Sequence, residues 1–328
     1  MAAPPHDTAP HIELRVRGDF VAWLAAAGGT LAVTTYNSGK LAMFAAPAGR
    51  LEMRIWKLAR PMGLAYDQGR LAVATRDEIR EWRWAGRSEA TSLQSFAPAA
   101  IHVTGRLDAH ELAYDAGGLC FANTRFNCIA RPSDRARFRR AWTPWFFRER
   151  VSRDACHLNG LGLRGGRVQL ATAFCLGCAA GDWRKVNRLV TGVVLDVRRN
   201  RCVRSGLCMP HSPRWDGRNW WLCNSGEGQL CRLNPRTSEI RIVAELPGFT
   251  RGLCFAAGRA VVGLSRIRKE HILDAPPVRE RFTRLRSGVW LVDPASGRST
   301  GALEFVRGGR EVFDVAFLPV SPRPELGL

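Results

Sequence analysis

Only seven of the 328 residues are histidines, and three of them, His110, His157 and His211, each stand at the head of a similar apolar segment. Neutral imidazoles that converge in space can hold zinc, copper or iron. A three-histidine set with open coordination positions would let the ion activate water or dioxygen, or polarise a carbonyl. Glu111, Asn159 and Asp314 are near enough in sequence to act as supporting groups or as an extra ligand. The plainer alternative is that each histidine only hydrogen-bonds a backbone carbonyl or a water.

The segments that carry these residues repeat. An apolar strand, a Gly- or Asp-containing turn and a second apolar strand with a polar tip recur at roughly 40–60 residue spacing, a period in the range of repeat architectures. The copies are "MGLAYDQGRLAVATRDE" (62–78), "HELAYDAGGLCFANTRF" (110–126), "HLNGLGLRGGRVQLATAF" (157–174), "HSPRWDGRNWWLCNSGE" (211–227) and "RGLCFAAGRAVVGLSRI" (251–267). Two weaker strands follow a hairpin, as in "GQLCRLNPRTSEIRIVAEL" (228–246) and "GVWLVDPASGRSTGALEFV" (288–306), where tight turns join them. Four antiparallel strands per unit make the blade of a β-propeller. Residues 30–58 supply three strands of a first blade, and "EVFDVAFLP" (311–319) reads as its missing first strand. The expected fold is therefore all-β: a six-bladed propeller closed by pairing of the C-terminal strand with the N-terminal blade, leaving no open edge there. A single domain spans 20–319, with a disordered or extended tail at 1–19 and a second tail at 320–328. "FVAWLAAAG" (20–28) is a short helix or a strand; periodicity does not separate the two.

In such a blade the start of the first strand and the end of the second lie on one face. That collects Met62, His110, His157 with Asn159, His211, Arg251, and Phe313 with Asp314 from strand starts. The second-strand tips add residues from 35–37, then Arg76, Asn123, Arg125, Thr172, Asn224, Ser225, Ser265 and Arg266. From these we expect His157, His211, Arg251 and Asn159 to be catalytic, and His110, His157 and His211 to hold the metal. Arg76, Asn123, Arg125, Asn224, Ser225 and Arg266 would bind the substrate. Guanidinium forks suit carboxylate and phosphate, so the expected ligand is an anionic small molecule or peptide. Two long connections, 131–156 and 265–288, are expected to rim the same mouth as lids or as a docking surface for a protein.

The formal net charge is +20, which brings nucleic acid and membrane surfaces into consideration. The excess is arginine scattered singly, dense only in "RPSDRARFRRAW" (131–142), and no nucleic-acid-binding motif is present. Nucleic acid is therefore disfavoured and a solvated basic surface preferred. No membrane partner is expected, since no apolar run approaches a membrane span. The N-terminus lacks the apolar core of a secretory signal, so the ten cysteines are expected to be free thiols in a reducing cytoplasm. Cys120, Cys223 and Cys254 alternate with apolar neighbours and read as small buried hydrophobes. "CLGC" (175–178) could be half a zinc site or a redox pair, but a second pair at the usual spacing is missing. "NSGEG" (224–228) lacks a P-loop lysine, and no nucleotide cofactor is expected.

Several segments together carry a family resemblance: "TTYNSGKL" (34–41), "HLNGL" (157–161), "MPHSPRW" (209–215), "NSGEG" (224–228), "LPGFTRGL" (246–253), "VGLSRIR" (262–268) and "FDVAFLP" (313–319). With these the chain resembles a bacterial family of conserved hypothetical proteins, a domain of unknown function, over about residues 20–319. The resemblance implies a propeller-like fold and no established activity. Its recurrent motifs match His157, His211 and Arg251, with Asn159 and Asn224, whereas "CLGC" departs from the pattern. The leading expectation is a metal-dependent enzyme using iron, copper or zinc, with oxidoreduction ahead of hydrolysis or lyase chemistry. The alternative is a non-catalytic propeller module that binds a protein, peptide or glycan.

Overall fold

In the computed structural model the described residues are 11–87, 94–148, 152–187, 189–266, 276–320 and 325–327. They form six antiparallel blades arranged as a propeller ring. From the channel outward, blade 1 is Val312–Leu318, Thr30–Thr35, Lys40–Ala45 and Glu52–Lys57. Blade 2 is Leu64–Asp67, Arg70–Ala74, Glu78–Arg87 and Gln94–Val103, and blade 3 is Ala109–Asp115, Gly118–Asn123, Cys128–Arg131 and Arg139–Trp142. Blade 4 is Gly160–Arg164, Arg167–Ala173, Gly192–Asp196 and Arg201–Leu207. Blade 5 is Pro210–Trp215, Trp220–Asn224, Gln229–Leu233 and Ile240–Glu245, and blade 6 is Phe249–Ala256, Arg259–Ser265, Gly288–Val292 and Ser299–Arg307.

The core lies between blades. Alternate residues of each strand face opposite neighbours. Six apolar clusters result, each drawing mainly on one adjacent pair of blades. Leu31, Val33 and Phe44 of blade 1, for example, join Val261, Val289 and Leu303 of blade 6. Leu170, Val194 and Leu207 of blade 4 join Trp220, Leu222 and Leu233 of blade 5. Cysteines serve as small apolar side chains here: Cys120, Cys156, Cys175 and Cys208 share one cluster, and all ten thiols are free.

Blade 1 takes strands from both chain ends, with Thr30 opposite Leu318 and Val33 opposite Val315. Two outer edges are also covered. Glu13–Gly18, which the sequence left in a disordered or extended tail, adds a fifth strand to blade 6 against Ser299–Arg307. Its partner groups explain the order: Arg17 donates to the buried Glu304 carboxylate at 2.9 Å, and Ile12 is buried. Glu325–Leu326 lies parallel to Gln94–Val103 at the edge of blade 2, with Leu326 buried and Trp82 donating its indole N–H to the Gly327 carbonyl at 2.6 Å.

Residues 20–28 resolve as helix Phe20–Ala27, ended by Gly28 at φ +67°, a left-handed cap that suits glycine. Phe20, Trp23 and Leu24 are buried beside blades 1 and 6. The connection 131–156 is not simply a loop: Arg139–Trp142 is the outer strand of blade 3, paired with Cys128–Arg131. Within 265–288, residues 267–275 lie outside the described set. The short helix Val278–Arg281 buries Val278 and ion-pairs Arg281 with Glu227 at 2.5 Å.

Candidate functional site at the channel mouth

Where the second strands of blades 3 and 5 end, the chain makes the same short turn twice. Asn123 leads into a 3-10 turn at Thr124–Phe126 and Asn224 into one at Ser225–Glu227; Asn127 and Gly228 then take the left-handed region at φ +50° and +68°. The Asn123 side chain caps its turn by accepting from the Phe126 N–H at 3.2 Å. This caps the helix-like end as asparagine does elsewhere. The turns place two hydroxyls, Thr124 and Ser225, against the first strands.

Those hydroxyls fix two histidines. The Thr124 hydroxyl donates its only proton to the Leu158 carbonyl at 2.6 Å, so at 2.8 Å from His110 Nδ1 it can only accept. The Asp108 carbonyl, 3.2 Å from the same nitrogen, also only accepts. Nδ1 of His110 therefore carries the proton, and Nε2 keeps its lone pair. His211 repeats the arrangement with the Met209 carbonyl at 3.0 Å and the Ser225 hydroxyl at 2.9 Å. His157 reaches the same tautomer through Asp154, whose carboxylate sits 3.0 Å from Nδ1 and also takes the Trp183 indole N–H at 2.8 Å. Among the described residues no Nε2 of the three has a hydrogen-bond partner. Burial, reinforced by the neighbouring His157 and Arg251, holds His110 well below the usual histidine range. Burial and Arg251 do the same to His211. Both rings are neutral at pH 7.

The sequence suggested equivalent points on three consecutive blades for the three histidines, and His157 departs from that. The N–H of Met62 bonds the Ala74 carbonyl as that of Asn159 bonds the Thr172 carbonyl. Arg60, Asp108, His157 and Met209 share a left-handed φ of +51° to +53°. His157 thus matches Asp108 and Met209, and the ring position of blade 4 belongs to Asn159, two residues later. The inner ring reads Phe313, Met62, His110, Asn159, His211, Arg251. Sequence alignment missed the offset because "HLNGL" and "HELAY" both begin with histidine; the shared left-handed residue before the strand was the better anchor.

His157 still reaches the mouth, because its ring swings in from the loop. It meets His110 edge-on at 4.7 Å between centroids and stacks beside Trp183 at 4.3 Å and Phe174 at 4.5 Å. Phe174 also contacts His211 at 5.4 Å, so it touches both of these rings. The cavity so formed has a volume of about 330 Å3. It is lined by the three histidines, Phe174, Trp183, Phe249, Phe313, Tyr36 and Met62, with Arg184, Arg251, Arg266, Asp108, Asp154 and Glu311.

Arg251 is one of three arginines that line this mouth, with Arg184 and Arg266. Its guanidinium carbon lies 3.3 Å from the centroid of the Phe313 ring, a cation–π contact. Among the described residues it has no hydrogen-bond partner. Burial lowers it to about 10 despite the attraction of Asp314 and Glu311. Arg266 donates to the Phe305 and Val306 carbonyls at 3.2 and 3.4 Å, while its buried Nε has no partner among the described residues.

The other expected binding residues go elsewhere. Arg76 is exposed, ion-pairs with Asp77 at 2.5 Å and does not line the cavity. Arg125 is exposed and donates to the Ser152 hydroxyl. Asn123, Asn159 and Asn224 are buried parts of the scaffold. Asn159 accepts the Thr172 hydroxyl at 2.6 Å and Asn224 accepts the Cys208 N–H at 2.7 Å, because strand tips need side chains to satisfy backbone and neighbouring polar groups. Ser225 is wholly buried and orients His211 rather than facing a ligand.

Glu111 and Asp314 do not support the histidines. They turn down the channel to Arg214, which hydrogen-bonds Glu111 and lies 3.9 Å from Asp314. Asp314 also accepts the Leu64 and Val315 N–H groups at 2.9 Å. Burial and the nearby Asp314 raise Glu111 to about 7 against the pull of Arg214. The residues that do orient the histidines are Asp154, Thr124 and Ser225. The "DACH" spacing (154–157) was the readable signal for the first.

No group of three or more His, Cys, Asp or Glu among the described residues is arranged to hold a metal ion. Cys175 is buried, which pushes its thiol up to about 11, and Cys178 is exposed. No helix among the described residues is long and apolar enough to cross a membrane.

The fold matches solved structures at low identity. A protein of unknown function from Bacteroides caccae matches with a TM-score of 0.56 at 11% identity, over 89% of this chain and 99% of that one. A chain from the crystal structure of a nidogen/laminin complex matches with a TM-score of 0.53 at 12% identity, over 88% and 98%. Among curated proteins none matches significantly. A family model spans residues 18–326, nearly the whole propeller, and by that match the chain belongs to the family described as a domain of unknown function, DUF4915.

Proposed function

We propose that the histidine mouth is the working site of an enzyme for a small anionic molecule or short acidic peptide. One observation carries the reading: a half-buried arginine with no hydrogen-bond partner among the described residues, Arg251, lies over the Phe313 ring beside the neutral His110 and His211, whose Nε2 lone pairs are likewise unpartnered there. A half-buried guanidinium with no acceptor among the described residues is short of hydrogen bonds, and an anionic group would supply them. A carboxylate on Arg251 would set the adjoining carbon within reach of His110 or His157, either of which can take a proton at Nε2. The aromatic walls, Phe174, Trp183, Phe249 and Phe313, would cover the rest of the ligand and exclude water.

The metal-dependent form of this reading, with oxidoreduction at iron or copper or hydrolysis at zinc, draws on the fixed Nδ1 atoms. Ligand histidines are oriented in this way by carbonyls and carboxylates. His110 and His157 are the closer pair for it, since Phe174 touches both His157 and His211. The non-catalytic alternative, a module for a protein, peptide or glycan, takes support from the similarity to a chain in a nidogen/laminin complex, though at 12% identity that likeness carries the fold alone. A reducing, cytoplasmic setting belongs to the proposal because all ten cysteines are unpaired.

Thermal-shift measurements with a panel of dicarboxylates and acidic dipeptides test the reading on wild type and Arg251→Met. At least one compound should raise Tm in the wild type only. A panel that shifts neither protein, or both equally, overturns it. Elemental analysis separates the metal form: near-stoichiometric metal that disappears in His110→Ala/His157→Ala supports it, and metal-free protein that still binds the anion removes it.

A further inference from the structure

On the opposite face, blades 4 and 5 enclose a second cavity of about 400 Å3. Its walls come from the turn after Gly160–Arg164, the turn before Arg201–Leu207 and the turn after Gln229–Leu233. All three turns lie at the end of the blades away from the histidines, since strands alternate in direction. The floor is apolar, with Leu170, Val203, Trp220 and Leu233.

The walls carry five guanidinium groups, those of Arg164, Arg198, Arg199, Arg201 and Arg236, and one carboxylate, Asp196. Asp196 is already engaged: it accepts the Arg199 N–H at 2.9 Å and the Arg199 guanidinium at 3.2 Å. Arg164 lies over the Trp215 ring at 4.1 Å, which holds its plane and leaves its N–H edges open. Among the described residues the guanidinium groups of Arg198, Arg201 and Arg236 have no hydrogen-bond or ion-pair partner. Five positive groups against one negative group leave the cavity lining at +4. Like charges held around a concave, partly apolar wall focus the field and repel one another until an anion enters.

We infer that this is a second ligand site, for a small molecule bearing two phosphate groups. Two phosphate monoesters carry about −3 to −4 at neutral pH, which matches the lining charge, whereas one carboxylate would leave most of it uncompensated. Arginine forks bind phosphate oxygens bidentately, and the volume is in the range of small-molecule pockets. The five guanidinium groups are exposed around the rim of one concavity between two blades rather than strung in a stripe along the surface, which favours a compact ligand over a nucleic-acid strand.

Inorganic tripolyphosphate serves as the probe in titration calorimetry on the full chain. It should bind wild type with one equivalent, and Arg201→Glu/Arg236→Glu should weaken binding at least tenfold. Arg236→Gln, on an exposed turn, should weaken it at least threefold while leaving Tm unchanged. Arg50→Glu/Arg298→Glu, an equal charge change at exposed positions on other blades, and Arg251→Met at the histidine mouth should each stay within twofold of wild type. Absence of saturable binding, an equal loss in the Arg50/Arg298 control, or a loss in Arg251→Met overturns the assignment. Tighter binding of a single-stranded oligonucleotide with the same mutational sensitivity also overturns it, in favour of nucleic acid.

Discussion

Two sets of charged groups share the central channel, and they are built in opposite ways. In the plug, Glu111, Asp314 and Arg214 answer one another. Arg214 also donates to the Leu161 and Pro213 carbonyls at 3.2 and 3.0 Å, and Asp314 collects two backbone N–H groups. At the mouth, a few residues away along the same strands, Arg251 has an aromatic face beneath it and no acceptor among the described residues, and the histidine Nε2 atoms are open. Polar groups that satisfy one another hold a fold together; polar groups that a fold desolvates and leaves unanswered await something from outside. By this criterion the plug is structural, and the mouth is where the proposed function is to be sought.

The comparison breaks first at Arg214. Arg214→Met strands two buried carboxylates, and removing one partner of such a set costs about 3–5 kcal/mol; chemical denaturation should show a loss of that order. A loss below about 1 kcal/mol, the range of an exposed pair, would mean that the plug is solvated and the contrast false. Arg251→Met should behave in the opposite way. Stability should hold or rise slightly, because a desolvated cation is removed, while affinity for the thermal-shift ligand falls at least tenfold, about 1.4 kcal/mol. A stability loss matching that of Arg214→Met would move Arg251 into the structural set.

Smaller changes sharpen the picture. Ser225→Ala removes one acceptor from His211 Nδ1 and should cost about 1 kcal/mol, with the His211 ring becoming mobile in NMR relaxation. An unchanged ring would assign its orientation to the Met209 carbonyl alone. The pH dependence follows from the lowered His110 and His211. The unfolded chain binds protons at these residues near pH 6.5 and the folded chain does not. Stability should therefore fall as pH drops below about 6.5, with a slope that flattens in His110→Phe/His211→Phe. An equal slope in that variant would place the titration elsewhere.

The blades were legible in the sequence because each hairpin carries its own period-2 pattern and turn, so the propeller follows from local signals that agree. Which polar tip residues face the mouth was less legible. Asn123, Asn159 and Asn224 look like ligand-binding residues on a list of tips, yet the amide oxygen of each accepts a hydrogen bond within its own blade, while Nδ2 of Asn123 and of Asn159 has no partner among the described residues. Sequence marks a residue as polar and does not say whether its partner is inside or outside the chain. Arg76 and Arg125 failed for the reverse reason: long side chains at tips can turn outward to Asp77 and Ser152. Asp154 was missed because it precedes the repeat, and the orienting role of Thr124 and of Ser225, which the sequence offered as substrate-binding, was hidden because both act from the short turns that follow the second strands. The pairing of Glu13–Gly18 was hidden because its partner, Ser299–Arg307, lies nearly 300 residues away.

The central claim is that His110, His157 and His211 present bare Nε2 atoms beside an unanswered arginine. Long-range 1H–15N NMR of the histidine rings at pH 7 tests it most directly. Nδ1–H tautomers at all three residues, with His110 and His211 uncharged, are the predicted result. Protons on Nε2, or imidazolium signals from His110 and His211, would contradict it.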